Sequence, residues 1–154
     1  MYEIGNIEGV IISSRKTILD DRGCIRHFMK CTDPEFKKFG EVYFSEIFPG
    51  VVKGWHLHTK MELNYVCIKG NIKLVLLDLR EKSPTKNKLM EIYLGEKDYK
   101  LVKIPPGVLN GFTAIGEGSA IVANFTDMPY DPDEIKRIDP WDKSIGYNWK
   151  VKDR

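Results

Sequence analysis

His56 and His58, two residues apart, with Glu62 four residues further on, are the side chains of this sequence best suited to chemistry. On a strand, residues two apart project from the same face, so the two imidazoles share one surface and Glu62 can rejoin them after a bend. Two chemistries fit that arrangement. Two nitrogens and a carboxylate oxygen make three ligands for a divalent metal, with open positions for water and substrate. Alternatively, one imidazole acts as a general base beside polar groups that hold a carbonyl substrate. A third reading gives the cluster no role beyond lining a polar interior.

The elements that must position these residues are strands. Val10–Ile12, Val42–Phe48, Leu63–Ile68, Ile72–Asp78, Met90–Leu94, Lys100–Ile104 and Ser119–Asn124 are short runs rich in β-branched and aromatic residues. Turn residues separate them: Lys69-Gly70-Asn71, Pro105-Pro106-Gly107 and Gly116-Glu117-Gly118. The pattern predicts an all-β barrel or jelly roll whose interior and exterior positions alternate. Helix is confined to two short peripheral turns, over Asp33–Phe39 and Asp131–Arg137, where an Asp followed by Pro can cap a first turn. No internal repeat or low-complexity linker divides the chain, so residues 1–154 are expected to form one domain. The apolar run Val42–Phe48 reads as an edge strand that pairs across a two-fold axis, which predicts a homodimer. Thr126–Glu134 mixes turn formers with acids and is expected to cross the barrel mouth.

Bulk properties narrow the partners. Lys and Arg total 24 against 22 Asp and Glu. That balance lacks the basic field of a nucleic-acid-binding protein, so any anionic ligand must be held locally. No apolar run approaches the ~20 residues of a membrane span, and the first residues do not read as a signal peptide, so a cytosolic protein is expected. Cys24, Cys31 and Cys67 are odd in number and lack Cys-x-x-Cys spacing, which argues against a disulfide framework and a zinc ribbon.

Several longer motifs carry a resemblance. Gly50, then His56-x-His58, Glu62 and Gly70, with Pro105-x-Gly107 further on, resembles the paired motifs of the cupin fold, a double-stranded β-helix. Within that fold, almost the whole chain is similar to the dTDP-4-dehydrorhamnose 3,5-epimerases and their sugar-nucleotide relatives. Asp21-Arg22-Gly23 resembles an early element of that family, and Gly50-Val-Val-Lys53-Gly-Trp-His56 its G-V-L-R-G-L-H segment. Asp78-Leu-Arg80 with Ser83-Pro-Thr85 resembles its D-L-R and S-P-T pair. Ile104-Pro-Pro-Gly107-Val-Leu-Asn110-Gly-Phe112 resembles I-P-x-G-x-x-H-G-F, and Asp139–Asp142 with Ile145–Trp149 its closing region.

The resemblance implies an enzyme without cofactor or metal that acts on a nucleoside-diphosphate 4-keto-6-deoxyhexose. It removes a proton next to the keto group and returns one to the opposite face. It implies His56 as the base, Lys53 and Arg22 as partners of the diphosphate, and His58 and Asn110 as further substrate contacts. Lys53 reaches the diphosphate only if its strand bends at Gly54. The sequence also departs from the family. Ala123 stands where the family carries the tyrosine that protonates the opposite face, Asn110 replaces a histidine, and Leu63 lies near the position of an active-site lysine. Glu62 and Asp78 are the nearest carboxylates to orient the base, and Tyr65 and Tyr130 are candidates for a replacement acid. Three readings therefore stay open: an epimerase or keto-isomerase, a metal-dependent cupin enzyme using His56, His58 and Glu62, and a sugar-binding cupin without catalysis.

Overall fold

The computed structural model describes residues 2–150. Its strands are β1 (Glu3–Ile4), β2 (Ile11–Ser14), β3 (Thr17–Asp20), β4 (Gly23–Arg26), β5 (Glu41–Ile47), β6 (Val52–His58) and β7 (Leu63–Lys69), followed by β8 (Asn71–Asp78), β9 (Lys88–Gly95), β10 (Lys100–Ile104), β11 (Val108–Ala114), β12 (Ala120–Thr126) and β13 (Ile135–Arg137). One sheet has the order β1-β9-β8-β11-β6-β13, a second the order β2-β10-β7-β12-β5, and β3 and β4 form a separate hairpin. Neighbours in sheet order are mostly distant in sequence, as the double-stranded β-helix of the cupin fold requires.

Alternation along the strands divides the apolar residues among three clusters. Between the two sheets lie Leu63, Tyr65, Cys67, Leu74, Leu76 and Phe112, with others. On the outer face of the five-stranded sheet, Val66, Leu101, Tyr99 and Ala123 are covered by Phe28 and Met29. On the outer face of the six-stranded sheet, Trp55, Val75, Leu77 and Leu109 are covered by Tyr147 and Trp149 from the last stretch of the chain. Both faces of β8 are thus enclosed, which explains its continuous apolar run Leu74-Val-Leu-Leu77.

The expected strands all fall on observed ones, but three features differ from expectation. The two helical turns do not form helices. Asp33 accepts a hydrogen bond from the Lys30 amide (2.8 Å), and the Phe36 amide donates to the Asp33 carbonyl (3.0 Å), making isolated turns that Phe36 and Phe39 anchor on Phe125. In the second segment, Asp131 closes one turn, and Ile135–Arg137 then extend as β13 along the open side of β6. Backbone donors on β6 that needed partners outweigh the local capping preference. The third difference is Val108–Ala114. After Pro105-Pro106-Gly107 this stretch becomes β11, which is central in its sheet and pairs with both β8 and β6.

Candidate active site

Strand β6 delivers His56, His58 and Lys53 to one region, and its geometry depends on an irregularity. Asn110 pairs with His56 and Phe112 with Lys53, so Gly54 and Trp55 together face the single residue Gly111. An extra residue of this kind reverses the alternation. Lys53 and His56 therefore both face the barrel interior although they are three apart, while Trp55 is buried on the outer side. The bend requires glycine: a Cβ on Gly54 would stand 2.9 Å from the Gly111 Cα, and one on Gly111 would stand 3.1 Å from the Trp149 ring. The condition that placed Lys53 near the site is met.

Two cavities adjoin here. One, of about 320 Å³, opens among Glu41, Tyr43, His56, His58, Tyr130 and Arg137. The other, of about 220 Å³, is lined by Tyr43, Ser45, Lys53, His56, Tyr65 and Asn124, with others. Tyr43, His56 and Tyr65 line both and mark the waist between them. A larger depression of about 580 Å³, on the outer face of the six-stranded sheet beside Lys73, Trp141 and Trp149, contains no histidine.

His56 is half-buried. Burial first, then the Arg137 guanidinium, His58 and Lys53, lower its pKa to about 4, so the ring is uncharged at neutral pH. His58 is buried, and its Nδ1 forms a short hydrogen bond with Glu134 Oε1. The other oxygen of Glu134 accepts the amides of Thr59, Lys60 and Met61, each at 3.1 Å. Burial pushes the Glu134 carboxyl up, but the bonds from His58 and these amides outweigh it and hold the carboxyl below its usual range. Lys53 Nζ donates to Ser45 Oγ at 2.8 Å.

Other expected residues lie elsewhere or act differently. Asn110 is fully buried and lines neither cavity: its Nδ2 donates to the His56 carbonyl (3.1 Å) and its Oδ1 accepts from the Tyr65 hydroxyl (3.3 Å). These bonds tie the His56 backbone to the Tyr65 hydroxyl. Arg22 projects from the β3–β4 turn, 85% exposed and paired with Asp20 at 2.6 Å, and does not reach the cavity of its own chain. Glu62 turns away from the histidines to Lys103 (2.9 Å), and Asp78 is enclosed by Arg80, Ser83 and Thr85. Neither carboxylate orients His56. The metal reading fails on this geometry, because among the described residues no three His, Cys, Asp or Glu side chains converge. Ala123 packs with Val66 and Leu101 on the outer face, and the cavity-facing residues of β12 are Val122 and Asn124. Tyr130, at the mouth, lies on the expected crossing segment.

Four contributors escaped the sequence reading: Tyr43, Asn124, Glu134 and Arg137. Tyr43 had a signal, since alternation within Val42–Phe48 puts Tyr43 and Ser45 on the face opposite Val42 and Phe44. Asn124 and Arg137 are brought to the site by sheet pairing, and Glu134, in the turn before β13, by its bonds to His58 and the β6–β7 turn.

A jelly-roll barrel that encloses a neutral histidine, with a lysine and an arginine near it, is a cupin of the acid–base kind. The chain belongs to the dTDP-4-dehydrorhamnose 3,5-epimerase family, whose sequence model matches residues 5–154. Among curated proteins it is 36% identical over 151 residues to the spore coat polysaccharide biosynthesis protein SpsL of Bacillus subtilis, covering 96% of this chain and 99% of that one. It is 34% identical over 142 residues to the probable low-salt glycan biosynthesis epimerase Agl13 of Haloferax volcanii, covering 89% and 90%. Among solved structures, a dTDP sugar isomerase from Desulfovibrio desulfuricans superposes with a TM-score of 0.92 at 38% identity, covering 96% of this chain and 94% of that one.

Proposed function

We propose that this protein is a sugar-nucleotide epimerase that abstracts the proton α to the keto group of a nucleoside-diphosphate 4-keto-6-deoxyhexose, in the assembly of a surface or secreted glycan. The observation that carries this reading is the uncharged, half-buried His56 at the waist of a cavity flanked by cations. A proton next to a carbonyl is acidic enough for an imidazole to remove when donors stabilise the enolate oxygen. Lys53 and Arg137 flank His56 and suit a diphosphate. Their neutralisation by the bound anion removes the repulsion that depresses His56, so the base strengthens as the substrate arrives. His58, locked by Glu134, presents its remaining nitrogen to the sugar. The names of SpsL and Agl13 support a role in glycan biosynthesis.

The protein acts as a homodimer in this reading. Val42, Phe44 and Phe48 are exposed on and beside the edge strand β5, and Ile18, Leu19 and Ile25 are exposed on the β3–β4 hairpin, more apolar surface than a monomer ordinarily leaves to water. Arg22 can serve the reaction only from a second copy of the chain. Free thiols at Cys24, Cys31 and Cys67 fit a reducing compartment, so the cytosol is the proposed location. No helix among the described residues is long and apolar enough to cross a membrane.

The test is incubation with dTDP-4-keto-6-deoxyglucose in deuterium oxide. Deuterium is expected to enter the sugar next to the keto group, and His56→Asn should reduce that exchange by roughly 10²–10⁴-fold with little change in binding. Binding without exchange in the unaltered protein would leave a sugar-binding cupin, and exchange that survives His56→Asn would remove this residue as the base.

A further inference from the structure

Inverting a carbon centre takes two groups on opposite sides of the sugar ring, one to remove hydrogen and one to return it. His56 is carried by the six-stranded sheet. We propose that the hydroxyl of Tyr43, carried by the five-stranded sheet, returns the proton on the face opposite His56. The inference rests on the reading of His56 as the base.

The hydrogen-bond directions single out Tyr43. Tyr43, Tyr65 and Tyr130 are the tyrosines of the two cavities. Tyr65 and Tyr43 each meet an asparagine amide whose orientation is fixed by the backbone. Asn110 donates through Nδ2 to the His56 carbonyl, so it presents Oδ1 to Tyr65, and the Tyr65 hydroxyl must give its proton to that oxygen. Asn124 accepts the Asn64 amide through Oδ1 at 3.1 Å, so it presents Nδ2 to Tyr43 at 2.9 Å. The Tyr43 oxygen therefore accepts, and its own proton is left to point into the cavity. Tyr65 is also fully enclosed, whereas Tyr43 keeps 37% of its surface open. Tyr130 is an exposed residue of the mouth that lines only the outer cavity and lies away from the waist.

The step balances within the site. His56 takes the α-hydrogen as a proton, and the electron pair of that C–H bond moves into the enolate. The enolate carbon then forms a new C–H bond with the Tyr43 proton on the other face, leaving an imidazolium and a phenolate. Transfer of one proton from imidazolium to phenolate through solvent restores both groups, with no oxidant or reductant required. The amide of Asn124, donating to the Tyr43 oxygen, stabilises the transient phenolate.

Tyr43→Phe removes one oxygen atom and provides the test. With dTDP-4-keto-6-deoxyglucose in deuterium oxide, the variant is expected to keep His56-dependent deuterium incorporation within about threefold. Formation of the inverted product should fall by roughly 10²-fold or more. That separation of exchange from inversion is a readout a merely structural role does not move. Inversion near the unaltered rate in Tyr43→Phe would overturn the proposal, and so would loss of exchange and inversion together. Failure of the base reading shows itself separately, as exchange that persists in His56→Asn.

Discussion

The charge state of His56 is set by what surrounds it. Enclosure and three neighbouring basic groups lower its pKa to about 4, below the ordinary 6.5 of the side chain. The base form of His56 is the active one, so on the acid side activity is lost as pH falls through the folded value. In kcat/KM, which reports the free enzyme, the His56 limb should lie near pH 4, and in kcat it should lie higher because the bound diphosphate favours the imidazolium. Parallel pH profiles of the two constants check this, and coincident limbs would count against diphosphate binding beside Lys53 and Arg137. The same depression bears on folding. Between about 6.5 and 4 the unfolded chain takes up a proton at this residue that the folded chain refuses, so the contribution of His56 to stability declines as pH falls through that window. At this scale the sequence was informative where residues are neighbours in the chain: His56, His58 and Lys53 stand within six positions of one another. Tyr43, Asn124 and Arg137 come from three other strands, and only the sheet order joins them to the histidine.

At the scale of elements, the turn from β6 to β7 is fastened by a carboxylate more than seventy residues away in sequence. Glu134 is nearly inaccessible, and its loss strands the His58 ring and three backbone amides at once. Glu134→Ala is expected to cost about 3–5 kcal/mol, the range for breaking a buried hydrogen-bonded charge, and urea unfolding measures it. A loss below about 1 kcal/mol would show that water readily replaces the carboxylate. Because the folded pKa of Glu134 lies below its ordinary 4.5, its contribution is present above that pH and disappears as pH falls through the folded value. The sequence suggested a capped helical turn here. Local capping chemistry is real in Asp131, but it could not reveal that β6 has an unpaired side awaiting Ile135–Arg137. Likewise the run after Pro105-Pro106-Gly107 is a strand because β8 and β6 lie on either side of it, a fact of topology and not of composition.

For the whole molecule, β5, β7, β8 and β12 already implied an all-β architecture, since each is a short run rich in β-branched, aromatic and aliphatic residues bounded by turn formers. The order of strands was beyond composition, and the motifs resembling the cupin fold supplied it. Association is the remaining property of this scale. Phe44 is 65% exposed and faces outward from β5, so if β5 forms the proposed dimer contact, unaltered protein should sediment as a dimer and Phe44→Lys as a monomer with its core intact. A monomeric unaltered protein, or an unchanged mass in Phe44→Lys, would overturn this assignment.

Strands β5 and β13 each end a sheet, and between them they carry Tyr43 and Arg137 at the rim of the cavity. Each is bound along one side only, whereas the strands behind them are bound along two. Within one chain the rim of the cavity is thus built in part from a singly bonded edge strand of each sheet. His56, by contrast, sits on a strand held along both sides, by β11 and by β13, so the reacting ring is fixed more firmly than the rim around it.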